Sequence, residues 1–288
     1  MNRKLGVWIV VLLGLGLAGP AAAAGEKEKR DFPNVLYDDK WTLSAGGFLS
    51  DFDTEVRWSP SGPLGAVIQL EDDLGLDEEI DTFFVGGRYR FSRRHRLGFS
   101  YSSLDRTADR IIDERIEIGG ITYDIGAEVH TEFDTSWFRV RWEYNVSDSD
   151  NLAAGYSLGL STFDIALFLE GDATVDDPDN PGQSIIERRE QQSDFIAPIP
   201  VVGIYMNHAL TPRWILRAAG DVMKISIGKH SGRVLEFSFG SDYRITRLMG
   251  LGLGLTALDI DYQQDETGER LAVDYRISAI VAYLNFAF

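Results

Sequence analysis

Cysteine is absent from all 288 residues, which excludes a disulfide framework and a lipid-anchored start, and suits export through an oxidising compartment. Basic residues are scarce: 28 Lys and Arg stand against 45 Asp and Glu, for a formal net charge of -17. That balance argues against nucleic acid as a partner and against a basic patch resting on anionic lipid. After residue 24 no apolar run approaches the roughly 20 residues that a membrane-crossing helix needs. Histidine numbers only 4, and no spacing of Ser and His suggests a hydrolytic triad; no cofactor, metal site or catalytic residue is assigned from sequence.

The first residues have a pattern of their own. Asn2-Arg3-Lys4 precedes an apolar stretch from Leu5 to Ala18 and an Ala22-Ala23-Ala24 site, the layout of a secretory signal peptide cut near Ala24. The expected organisation is therefore a leader over 1–24, a polar periplasmic tail over 25–40, and one domain over 41–288. About 260 residues remain, a length that barrels reach as single domains.

From Trp41 onward the chain alternates with period two. Leu235, Phe237, Phe239, Tyr243 and Ile245 fall on one face, with Glu236, Ser238, Asp242 and Arg244 on the other. The pattern recurs in Phe83, Val85, Tyr89 and Phe91 against Arg88 and Arg90, and in Phe138, Val140, Trp142 and Tyr144 against Arg139, Arg141 and Glu143. Alternation alone does not separate a soluble sandwich from a membrane barrel. The end of the chain does: Ile280, Ala282, Leu284, Phe286 and Phe288 form an apolar face closing on a terminal phenylalanine. This resembles the C-terminal signal of bacterial outer-membrane barrels, which implies Phe288 as the contact for the barrel-assembly machinery.

The predicted fold is all-β: an antiparallel up-and-down transmembrane β-barrel of about 10 strands, with 8 or 12 as the alternatives. Ser92 to His95, Ser147 to Asp150, Thr211-Pro212 and Thr246-Arg247 supply short periplasmic turns, and longer acidic loops face outward. Trp41, Phe91, Tyr144, Trp214, Tyr243 and Phe288 fall where an interfacial aromatic girdle belongs. In three strands the apolar parity flips after about ten residues, as from Leu49 to Phe52, Leu160 to Phe163 and Leu255 to Leu258. A β-bulge near the outer rim and an apolar vestibule above the membrane are the expectation. Pro198 and Pro200 predict a bulged or unpaired stretch in the sixth strand.

One segment breaks the alternation. Leu70-Glu71-Asp72-Asp73-Leu74-Gly75-Leu76 lacks the spacing of a calcium loop, and the residues from Asp72 to Ile80 have no strand partner. They are expected to fold inward, so that Asp72, Asp73, Asp77, Glu78 and Glu79 reach Arg88 and Arg90 and narrow the lumen; Arg139, Arg141 and Glu143 are further constriction candidates. The same LEDDLGL stretch, with Arg94-His95-Arg96-Leu97 leading into Phe99-Ser100-Tyr101, resembles a pattern in a group of Gram-negative outer-membrane proteins. That resemblance implies a barrel and carries no catalytic residue.

The function expected is a narrow channel for small solutes or a structural and surface barrel, set in the outer membrane of a Gram-negative bacterium among its lipid and lipopolysaccharide. The alternative is an outer-membrane hydrolase with a rim site, where His130 and His230 meet Asp51, Asp53, Asp259 or Asp261. The acidic loop Gly171 to Gln183 is read as solvated, with weak Ca²⁺ or Mg²⁺ binding as the other option.

Overall fold

A computed structural model describes residue 32 and residues 34–59, 67–113, 115–118, 121–176, 184–227, 230–266 and 269–288. The leader, with its cleavage site, and the tips of the first hairpin and of the acidic loop lie outside the described residues.

Alternating side chains produce strands because each face meets one kind of surroundings. Ten long strands result: β1 Trp41–Ser59, β3 Glu79–Arg90, β4 His95–Ile111, β7 Glu128–Asn145, β8 Leu152–Asp176, β9 Ser184–Ala209, β10 Trp214–Ile227, β11 His230–Arg244, β12 Met249–Glu266 and β13 Glu269–Ala287. Each pairs antiparallel with its neighbours, and β13 pairs back onto β1, so the sheet closes. Trp41 and Phe288 exchange backbone bonds of 2.8 and 3.0 Å at the closure. Three short strands, β2 Val67–Gln69, β5 Ile116–Ile118 and β6 Ile121–Tyr123, belong to loops. The barrel thus has a turn end, at the short connections, and a loop end.

Along the half nearest the turns, the outer wall is apolar: Leu43, Leu49, Phe83, Val85, Leu158, Leu253 and Leu284 are exposed. A continuous belt of this kind suits lipid rather than water. The aromatic girdle stands below it. Trp41 contacts Tyr89 at 4.6 Å, Tyr89 meets Phe91 at 4.7 Å, and His95 stacks on Trp142 at 5.6 Å, so His95 belongs to the girdle rather than to solvent.

The parity change is real in sequence, but the expected bulge does not cause it. The β1–β13 ladder runs without interruption from Thr42↔Ala287 to Ser59↔Arg270, and β12–β13 from Met249↔Phe286 to Glu266↔Glu269. The backbone never changes phase; its surroundings do. Odd residues of β1 stay outside throughout, as Leu43 and Leu49 against lipid and then as exposed Asp51, Asp53 and Arg57. Even residues stay inside, polar at first and then the buried Phe52, Thr54 and Val56. Above the belt the barrel is built like a soluble protein, with its apolar face inward.

Pro198 and Pro200 pair with Thr162 and Leu160 in an unbroken β8–β9 ladder, so there is no bulge there. On the other side, pairing of β9 with β10 stops at Val202↔Val222. The prolines therefore turn their missing donors toward an unpaired edge, where a strand tolerates them.

Candidate functional site

The lumen is filled at both ends and hollow between. At the turn end, residues 34–40 form a compact turn: Asn34 accepts from the amides of Tyr37 and Asp38 at 3.0 and 2.8 Å, and its side-chain oxygen accepts from Leu36 N at 2.9 Å. The turn carries Leu36 and Tyr37 into an apolar cluster with Ala153, Tyr205 and Ile215. Tyr37 donates to the Leu152 carbonyl at 2.9 Å, Arg96 donates to the Leu36 carbonyl at 3.1 Å, and Arg244 pairs with Asp39. What the sequence presents as a tail is, over these residues, a plug.

The middle of the lumen carries a charge network. Arg139 holds Glu236, with Nη1 to Oε1 at 2.7 Å, and Arg141 pairs with Asp221, which also accepts from Ser157 at 3.0 Å. Arg217 pairs with Asp242, and Tyr283 donates to the same carboxylate at 2.6 Å. Arg96 lies 4.0 Å from Glu143. Gly252 makes room for this arrangement, because a Cβ there would overlap the Tyr283 ring.

Above the network opens a cavity of about 380 Å³. Its floor is polar and includes Arg88, Glu143 and Arg217; its upper wall is apolar, with Phe48, Phe52, Phe84, Leu104 and Phe163. The space exists because one side is lined by small residues, Ser44, Gly86, Gly98, Ser100 and Ser102.

The loop end is closed by two inserts. The hairpin β5–β6 joins the sheet through Thr122↔Thr174 and Tyr123↔Ala173, and buries Ile116 and Tyr123. The other insert is the LEDDLGL segment. Ile68, Leu70, Leu74 and Leu76 are all but fully buried, in one cluster with Phe52, Leu104, Phe133 and Tyr275. Gly75 takes φ +75, a conformation that L residues avoid, and the chain turns back so that Leu76 N donates to Leu70 O at 3.1 Å.

This lid is attached unequally. On the β1 side it has backbone bonds: β2 pairs with Glu55 to Arg57, and Leu70 N donates to Thr54 O at 3.0 Å. The β3–β4 ladder ends at Phe83↔Ser103, although β4 pairs with β7 up to Ile111. Across that seam the lid reaches β4 through side chains. Arg106 binds Glu71 at 2.6 Å and Thr54 at 3.1 Å, and Arg110 donates to the Asp72 carbonyl. The Arg106 side chain is 0% exposed and that of Glu71 7%, and the guanidinium lies 4.7 and 4.8 Å from the rings of Phe52 and Phe133.

The expected acidic constriction is therefore corrected in its chemistry. The segment does fold inward, but leucines lead it, because a closed apolar interior at this height rewards Leu over Asp. Asp72, Asp77 and Glu78 are exposed, while Asp73 accepts from Gln69 N at 2.8 Å and so helps shape the turn. Glu79 opens β3, and its side chain lies outside the described residues. None of the described acids reaches Arg88 or Arg90, which lie near the opposite end of β3; Arg90 instead donates to the Asp39 carbonyl of the plug at 3.0 Å. Arg139, Arg141 and Glu143 do face the lumen, where they line the cavity. Arg96 and Arg106 were missed by the sequence reading. The alternation Leu104, Arg106, Ala108 on β4 was the signal that could have placed Arg106 inside.

The expected rim pairings of histidine are also corrected. His130 Nδ1 lies 2.7 Å from Asp109 and Nε2 3.1 Å from Glu132, on the outer wall, because residues opposed across β4–β7 share a face. Asp53 and Asp259 are engaged by Arg276, and Asp259 and Asp261 by Arg233. The side chain of His230 lies outside the described residues. Among the described residues no three His, Asp or Glu side chains converge as metal ligands.

No family model matches the chain, and no curated protein matches it. Among solved structures, the outer membrane protease OmpT from Escherichia coli is similar with TM-score 0.50 and 11% identity, over 86% of this chain and 97% of that one. The Pseudomonas putida toluene transporter TodX matches with TM-score 0.38 and 10% identity, over 89% and 92%. The outer membrane protein OprG from Pseudomonas aeruginosa also scores 0.38 at 10% identity, over 88% and 97%. The first of these likenesses shows the barrel fold, and identities this low carry nothing about activity.

Proposed function

We propose that the protein is a passive outer-membrane barrel whose resting lumen is closed, and which admits a small solute into an internal cavity by movement of its plug or lid. On this reading the turn end faces the periplasm and the loop end the exterior. The apolar belt sits in outer-membrane lipid and lipopolysaccharide, and Phe288 serves the assembly machinery after the leader is removed near Ala24.

The observation that carries this reading is a cavity of about 380 Å³ within the barrel, with the plug of residues 34–40 at one end of the lumen and the lid that carries Leu70, Leu74 and Leu76 at the other. A barrel serving only as a scaffold has no need of such a space, since natural interiors are close-packed. A diffusion pore has no need of two closures.

Planar-bilayer recording tests it. Wild-type protein is expected to show no steady conductance, and loosening both ends with Tyr37→Ala and Glu71→Gln to produce discrete steps. Tyr37→Ala alone serves if the pair folds poorly. Steady single-channel steps in the wild type would overturn the closed resting state, and silence in every folded variant would overturn gating.

A further inference from the structure

Four of the five guanidiniums in the middle of the lumen have a carboxylate partner. Arg96 stands beside Glu143, Arg139 holds Glu236, Arg141 holds Asp221 and Arg217 holds Asp242. Arg88 is the one left over: among the described residues it has no hydrogen-bond or ion-pair partner, and it lines the cavity floor. An unmatched cation far from bulk water is costly, and a bound anion offsets that cost. Four residues along β3 from Arg88 is Phe84, about 13 Å at the rise of an extended strand. There the wall turns apolar, with Phe48, Phe52 and Leu104 above.

We infer that the cavity takes a small amphiphile with an anionic head, the head on Arg88 and the apolar body against Phe84, Phe48, Phe52 and Leu104. The inference rests on the closed-barrel reading and supplies its ligand class. A planar guanidinium with no protein partner is free to take a carboxylate through two parallel N–H···O bonds. The cavity falls within the ordinary range of small-ligand sites, about 300–1,000 Å³. A polar floor beneath an apolar upper wall also discriminates: a bare inorganic anion leaves the upper half empty, and a hydrocarbon leaves Arg88 unmatched.

The test uses the full mature chain in nanodiscs of zwitterionic lipid, with empty discs as the control for partitioning, and calorimetric titration of octanoate, octan-1-ol and acetate. Octanoate is expected to bind at least about tenfold more tightly than either of the others, as a charge-assisted hydrogen-bonded contact implies. Arg88→Gln is expected to cost octanoate about tenfold and to leave octan-1-ol unchanged. Gly98 lines the cavity between Arg88 and Arg141 of the neighbouring strands, and the nearest neighbours to an added Cβ are 3.8 Å away, so the Cβ of Gly98→Leu meets no backbone clash and its side chain occupies the space, which is expected to remove binding of both. Equal affinity for octanoate and octan-1-ol in the wild type overturns the inference, as does acetate binding as well as octanoate, or indifference of octanoate to Arg88→Gln. Should Arg88→Gln fail to fold, the wild-type ligand series and Gly98→Leu still decide. If the loosened variants conduct and octanoate does not bind, the ligand class fails while the closed barrel stands; steady wild-type conductance removes the closed barrel first.

Discussion

Asp274 and Asp261 face each other directly across β12 and β13 on the outer wall, and Glu55 is the next residue of the same row on β1. Burial, and then the hydrogen bond with Asp261, push the Asp274 carboxyl up to about 6 from its ordinary 3.8, while Asp261 is held below its ordinary value. A carboxyl whose folded pKa is raised stabilises the fold below its unfolded value, and that contribution is lost as pH rises through the folded value. Unfolding by urea in lipid vesicles should therefore show stability falling between about pH 4 and pH 6, with Asp274→Asn flattening that part of the profile. His130, raised by its bonds to Asp109 and Glu132, adds a loss of the same sign as pH passes above the ordinary histidine value of 6.5. Deeper in the lumen, Asp221 is 2% exposed and holds Arg141 and Ser157. Asp221→Ala strands a buried guanidinium and should cost about 3–5 kcal/mol, whereas Asp148→Ala at an exposed turn pair should cost less than about 1 kcal/mol, both read from urea midpoints.

At the scale of elements, the lid shows how a strand-free segment acquires a position. Its four buried apolar side chains drive it inward, and its backbone bonds tie it to β1 alone, leaving the Arg106–Glu71 pair as its main hold on β4. Glu71→Ala leaves Arg106 buried without its carboxylate and should loosen that edge. Limited proteolysis should then cut faster within residues 71–78 while the barrel strands themselves stay uncut. Equal cutting of wild type and variant would show that leucine burial and the backbone bonds to β1 hold the lid without the Arg106–Glu71 pair. The strands were legible because period-two alternation is local; the lid was legible only as an interruption, because its direction depends on what lies beneath it. The plug was not legible at all, since Leu36 and Tyr37 are two apolar residues in a polar stretch and acquire meaning only beside Ala153, Tyr205 and Ile215.

For the whole molecule, one unbroken barrel crosses two surroundings. Residues of one parity face outward along its entire length, first against lipid and then against water. An arginine at Leu253, on the lipid belt, should destabilise by about 2–4 kcal/mol, whereas an arginine at Thr256, which faces the lumen beside Glu236, should be tolerated better. Phospholipid-vesicle unfolding titrations measure both, and equal costs would refute the assigned belt.

The sequence by itself determined the all-β class, the count of about ten strands, the short turns between them, the lipid belt and the change of surroundings above it. Each of these is written in local alternation, which one strand displays without reference to any other. Only the tertiary structure decided that the parity change needs no bulge, that leucines rather than acids close the loop end, and that Arg88 is left unmatched above the plug. Those outcomes depend on which side chains, distant in sequence, meet across a closed lumen, and alternation says which way a residue faces but not what it finds there.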